Sequence, residues 1–192
     1  MVEAKRTLVT IVQDEPGVLN RISSLFRRRG FNIESLTVGA SEVQDLSRMT
    51  IVVDGATTQV EQVAKQLYKL PNVVKVIDIS DDEMVAREMA LIKVKATAST
   101  RSEIIQMVDI FRASIIDVAA DSVIIEVTGD GGKIESLYQL LKGFGVKEMV
   151  RTGRVAMLRG SLGSSLIEDD APVSEHKQRT RTRAKAALIQ RN

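Results

Sequence analysis

The chain has 192 residues, 44% apolar and 27% charged, which suits one ordinary domain or two small ones and argues against global disorder. It has no Cys, so disulfides, thiolate nucleophiles and Cys-based metal sites are excluded, in keeping with a reducing cytoplasm. The net charge of +2 is uneven: beyond Gly160 lie six of the 27 basic and four of the 25 acidic residues, leaving 21 of each in a neutral body that gives little ground for nucleic-acid binding.

No apolar run approaches the ~18 residues of a membrane span, and no signal-like apolar segment follows Met1. The expectation is a soluble, cytoplasmic protein. Aromatic residues are only 3%, with no Trp, so the core must be built from Val, Ile, Leu, Met and Ala.

In chain order, 7–12 reads as a strand, and 17–29 as a helix with Val18, Ile22 and Leu25, or Leu19, Ile22 and Phe26, along one face. Strands follow at 32–38 and 48–53, joined by the polar stretch 41–46. A second helical stripe over 57–70 aligns Val60, Val63, Leu67 and Leu70 and stops at Pro71. A strand over 73–79 closes the first repeat. After 80-SDDE-83 the order recurs: strand 89–96, helix 102–113, strands 115–119 and 123–127, helix 133–144, strand 146–150. The spacing thus predicts an α+β protein of two tandem ferredoxin-like βαββαβ domains, each an antiparallel sheet with its helices on one face. Their expected limits are 5–80 and 84–160, with a basic disordered tail over 161–192.

In 8-LVTIV-12 and 49-MTIVV-53 both strand parities are apolar. The sheet face away from the helices is therefore expected to be covered, by another domain or by a second copy of the chain.

The catalytic inventory is nearly empty. His176 is the sole histidine and lies in the polar tail, which leaves triad or His-based acid–base chemistry without a seat. Asp81, Asp82 and Glu83 read as a solvated hinge rather than a metal cluster. The run 128-TGDGGK-133 resembles the start of a thiamine-diphosphate motif, but the downstream Asn pair is missing. It is no phosphate loop either, since Ile134 follows Lys133 where Ser or Thr is required. It reads as a glycine-rich turn before a helix.

The turn 14-DEPG-17 is different. Pro16 suits a helix entrance, and Gly17 lets a ligand approach the backbone. The next residues offer N–H groups at the positive end of the helix dipole, worth ~0.3–1 kcal/mol to an exposed carboxylate and up to ~2 kcal/mol to a partly buried one. Asp14 could accept from an ammonium group. Spacing alone leaves two readings open: a site for a free amino acid, or a capped helix with nothing bound. The run 27-RRR-29 before Gly30 reads as a solvated last helical turn.

A strand, Asp-x-Pro-Gly and a helix within βαββαβ resemble an ACT domain, a small amino-acid-sensing module. The longer strings 16-PGVLNRISSLFRRRGFNIESLTVG-39 and 46-LSRMTI-51 resemble the small regulatory subunit of acetolactate synthase, also called acetohydroxyacid synthase. So do 86-AREMALIKV-94, 110-IFRASIIDV-118 and 152-TGRVAM-157 in the second repeat. The resemblance spans roughly residues 5–160 and implies a subunit with no active site of its own.

The same resemblance implies a partner: a large catalytic subunit that uses thiamine diphosphate, Mg2+ and FAD in valine, leucine and isoleucine biosynthesis. This chain would activate it and confer feedback inhibition by valine or another branched-chain amino acid. The effector would lie across an ACT homodimer, between Asp14, Pro16, Gly17, Val18 and Leu19 of one chain and Asn32 and Ile33 of the other. Asp14 departs from the family's common Asn, which removes an amide donor and adds a charge. Asn32 also has a plain reading as a turn residue. A stand-alone tandem-ACT sensor controlling transcription or another enzyme would share this turn and lack the synthase partner.

Overall fold

In the computed structural model, residues 5–55 and 60–160 are described. The tail 161–192, including His176, lies outside them. The first repeat runs β1 (Lys5–Gln13), α1 (Val18–Arg29), β2 (Ile33–Ala40), β3 (Leu46–Asp54), α2 (Val60–Leu67) and β4 (Val73–Asp78). Its antiparallel sheet has the order β2-β3-β1-β4. The second runs β5 (Met84–Lys95), α3 (Arg101–Ile110), β6 (Ser114–Val118), β7 (Ser122–Gly129), α4 (Gly131–Lys142), β8 (Val146–Arg151) and β9 (Val155–Leu158). Its order is β6-β7-β5-β8, with β9 paired to β5. Both sheets carry the split βαββαβ order that the spacing predicts.

Periodicity explains each core. In α1 the buried residues Val18, Ile22, Leu25 and Phe26 form one stripe and meet Leu8, Met49, Ile51 and Val53 of the sheet and Val63 and Leu67 of α2. In the second repeat Ala90, Ile92 and Val94 of β5 face Ile104 and Val108 of α3 and Ile134, Leu137 and Leu141 of α4.

Helix ends follow local chemistry. Gly30, at φ +68°, ends α1: its N–H donates to the Arg27 carbonyl, and the Phe31 N–H donates to that of Phe26. This is a Schellman arrangement, which usually brings a hydrophobic contact with it. Here the Phe26 and Phe31 rings meet edge-on, centroids 6.1 Å apart. At α4 the expected turn is shorter than the sequence suggests. Asp130 caps the helix by accepting from the Lys133 N–H at 2.7 Å, and both following glycines are already helical.

The second repeat differs from expectation at its edges. β5 starts at Met84, and β9 is an added strand, with Met84 opposite Leu158 and Arg87 opposite Val155. This ribbon lies on the back of the first sheet, where Val9, Ile79 and Ala156 are buried with Met84, Ala86 and Leu158 packed around them. The apolar second parity of the first sheet is therefore covered from within the chain.

The hinge is a clasp as well as a linker. Arg6 donates to both oxygens of Asp81, at 2.7 and 2.8 Å, and to Asp78 at 2.8 Å. Ser80 accepts from the Thr7 N–H at 2.7 Å and donates to Asp78 through N–H and hydroxyl. Asp81 thus has a cationic partner that its expected role as a solvated linker residue did not include. Burial alone would raise the Asp78 pKa, but the hydrogen bonds from Ser80 and Arg6 outweigh it and hold the carboxyl below its ordinary value.

Two outcomes follow. Leu137 is buried and Leu140, on the same helix, is 49% exposed. In chemical denaturation Leu137→Ala should cost ~2–5 kcal/mol and Leu140→Ala no more than ~0.5 kcal/mol. Because the Asp78 pKa is depressed on folding, its stabilisation is present above the unfolded value near ~3.9 and lost as pH falls through the folded one. Thermal melts of Asp78→Asn should show a lower Tm at pH 7 and a shallower decline into acid than the unsubstituted chain.

Candidate functional site

The turn after β1 owes its shape to two residues. Glu15 to Val18 form a β-turn closed by the Val18 N–H to the Glu15 carbonyl at 3.3 Å. Gly17 sits at φ +88°, ψ −4°, the third position of a type II turn, with Pro16 at the second. That positive φ is what requires glycine here. Pro16 therefore precedes the helix by two residues instead of opening it. A Cβ on Gly17 would meet no atom within 4 Å, so the space in front of the turn is open.

The consequence for donors is specific. The Val18 N–H is used by the turn, and the first helical bond runs from the Arg21 N–H to the Gly17 carbonyl at 3.0 Å. The N–H groups of Leu19 and Asn20 have no partner among the described residues. They point out of the positive end of a 12-residue helix. The Asp14 side chain is exposed, while its N–H is fixed to the Asp45 carbonyl at 2.8 Å. Val18 is buried in the core, so only its backbone faces the turn, whereas Leu19 is 45% exposed.

The turn is held by a residue that no sequence pattern singles out. Asn72 is buried; its carbonyl accepts from the Gln13 N–H at 2.9 Å, and its amide donates to Gln13 Oε1 and Glu15 Oε2, each at 3.0 Å. Arg21 Nη1 donates to Asn72 Oδ1. Both sides of the turn are thus tied to one side chain more than fifty residues away, which no local pattern announces.

Asn32 and Ile33 stand elsewhere. Asn32 is exposed just past the end of α1, and Ile33 is half-buried against the core. Along β3, Gln13 is opposite Leu46 and Ile33 is opposite Val53. Those seven steps amount to ~23 Å at ~3.3 Å per residue. One chain does not bring the two groups together. They occupy opposite ends of its sheet; Ile33 opens β2, one of its two outer strands, and Asn32 immediately precedes it.

A groove of 510 Å³ lies between β2–β3 and the β5–β9 ribbon, lined by Thr37, Val38, Arg48, Arg87, Val155 and Met157 among others. None of Asp14, Pro16, Gly17, Val18, Leu19, Asn32 and Ile33 lines it. Arg48 donates to the Ala156 carbonyl at 2.9 Å, and burial lowers its pKa against the opposing charge of Glu42.

The glycine-rich turn of the second repeat is occupied by structural bonds. Asp130 caps α4, and Lys133 Nζ donates to the Thr128 carbonyl at 2.8 Å. Among the described residues no group of three or more His, Asp or Glu side chains is placed to hold a metal ion, and no helix is long and apolar enough to cross a membrane.

Comparison with known proteins agrees with this architecture. Residues 8–75 match the family model described as AHAS small subunit-like ACT domain, and residues 87–160 match that of the small subunit of acetolactate synthase. A protein named acetolactate synthase small subunit from Mycobacterium leprae is 54% identical over 161 residues, covering 84% of this chain and 95% of its own length. A probable acetolactate synthase small subunit from Archaeoglobus fulgidus is 54% identical over 157 residues, covering 82% and 98%. The crystal structure of the acetolactate synthase small subunit from Thermotoga maritima superposes with a TM-score of 0.76 at 46% identity, over 82% of this chain and 99% of that one. The chain belongs to the acetolactate synthase small-subunit family.

Proposed function

We propose that this chain is a regulatory subunit of acetolactate synthase without a catalytic site of its own. It activates a large catalytic subunit and makes that subunit sensitive to valine or another branched-chain amino acid. Thiamine diphosphate, Mg2+ and FAD belong to the large subunit in this reading.

The observation that carries the effector site is the division of its parts. At one end of the first sheet, the type II turn leaves the Leu19 and Asn20 N–H groups beside an exposed carboxylate at Asp14. The N–H groups suit the carboxylate of a free amino acid, and Asp14 suits its ammonium. Asp14, Pro16, Gly17, Val18 and Leu19 supply this half, with the exposed Leu19 side chain available to an apolar ligand. Asn32 and Ile33 of a second copy supply the other half, because those of the same chain are ~23 Å away by strand register. The site is then built only in a homodimer.

Ligand binding across that interface stabilises one arrangement of the dimer over another, and the large subunit responds to which one prevails. The coupling is reciprocal in binding: whatever weakens valine binding on assembly is matched by an equal weakening of assembly by valine.

Reconstitution tests the reading. The purified chain should form no acetolactate, should stimulate its cognate large subunit, and should make the mixture valine-sensitive. Acetolactate from this chain alone, or no effect on the large subunit, would overturn it. Gly17→Asp should raise the valine concentration for half-inhibition at least ~10-fold while stimulation persists, because it places a like charge where the carboxylate binds. Unaltered inhibition in that variant would place the effector elsewhere.

A further inference from the structure

Between β8 and β9 the chain crosses the first sheet at a point with no room for a side chain. Gly153 has φ +85°, and a Cβ on it would stand 2.7 Å from Ser35 Oγ, 3.1 Å from Thr37 Oγ1 and 3.7 Å from the Leu36 carbonyl oxygen. All three neighbours belong to β2. The Arg154 N–H donates to Ser35 Oγ at 2.9 Å, and Arg154 Nη1 reaches Thr7 Oγ1 on β1 at 3.1 Å. Thr37 Oγ1 is buried beside this crossing without a hydrogen-bond partner.

The same few residues are fastened to the second sheet. The Thr152 N–H donates to the Met89 carbonyl, and the Met89 N–H donates to Thr152 Oγ1, each at 3.1 Å. Arg154 Nε stands 3.9 Å from Glu88 Oε1, and Arg151 donates to Glu88 Oε2 at 2.5 Å. The Glu88–Arg151 pair abuts the start of α4, where a Cβ on Gly131 would lie 3.5 Å from Glu88 and 3.6 Å from Arg151.

We infer that residues 152–154 are the coupling element that passes a change at the opening of β2 to the second sheet and α4, with Gly153 and Ser35 as positioning residues. This rests on the effector reading of Asn32 and Ile33. β2 is an outer strand, paired within the chain on one side only, so a ligand at its first residues can displace it. Ser35 lies two residues beyond Ile33, stands beside the place a Cβ on Gly153 would take and accepts from the Arg154 N–H, so a displacement of β2 reaches this crossing directly. Arg154 bridges Thr7 on one sheet and Glu88 on the other, so a shift of β2 changes the balance between those two partners.

Two variants test this in the full chain with its large subunit. Gly153→Ala inserts a methyl against Ser35 at a backbone angle that alanine adopts with strain. Ser35→Ala only removes the acceptor of the Arg154 N–H, and it decides the matter should Gly153→Ala melt before assay. Both should bind valine in calorimetry with Kd close to that of the unsubstituted chain. In the holoenzyme, half-inhibition should need at least ~10-fold more valine, with stimulation retained. Inhibition unchanged in the folded variants overturns the inference and leaves the effector reading standing. A Kd that rises in parallel with the half-inhibition also overturns it, since the residues then belong to the binding site. Absence of valine binding by the unsubstituted chain overturns the effector reading and this inference together.

Discussion

β5 is long enough to belong to two cores. Met84 and Ala86 pack against Val9, Ile79 and Ala156 on the back of the first sheet, while Ala90, Ile92 and Val94 fill the centre of the second core. A single extended strand therefore sets the distance between the repeats, and β9 follows it by pairing with the first part of β5. The groove, the crossing at Gly153 and the reach of Arg154 to Thr7 all derive from that one continuous backbone.

Where side chains alternate regularly, sequence and structure agree closely. The stripes Val18–Ile22–Leu25 and Ile134–Leu137–Leu141 and the apolar strands of both sheets were legible because each is decided within a dozen residues. β9 was not legible as a strand. Its four residues have no strong alternation, glycine precedes them, and their partner lies some seventy residues earlier. The start of α4 was misplaced because paired glycines read as a turn. Asp130 makes them helical by supplying the acceptor that the first turn lacks.

The candidate site divides along the same line. The Pro-Gly turn and the open N–H groups that follow it are legible from residue type and helix geometry, whereas Pro16 closes a type II turn two residues before the helix instead of opening it. Asn72 could not be assigned, because its value lies in three hydrogen bonds to residues far away in sequence. Asp81 was assigned to solvent because a charge run between repeats is usually hydrated, and Arg6, its partner, sits at the other end of the repeat. Asp81 is indeed exposed, as a solvated hinge residue should be; its bond to Arg6 and the bonds of Asn72 are long-range polar pairs, which leave no periodic trace.

The register that separates Gln13 from Ile33 along β3 also bears on stoichiometry. If the proposed effector site holds, the chain carries one half of it at each end of its sheet and is self-complementary. Two copies related by a two-fold axis would complete two equivalent sites with no half left over, and the assembly closes. A head-to-tail arrangement would instead leave an unfilled half at each terminus and could keep growing. On the proposed reading, closure would tie occupancy to dimerisation by mass action: one effector per chain at saturation, with dilution that separates the copies also emptying the sites. The sensor would then respond to its own concentration as well as to that of the amino acid.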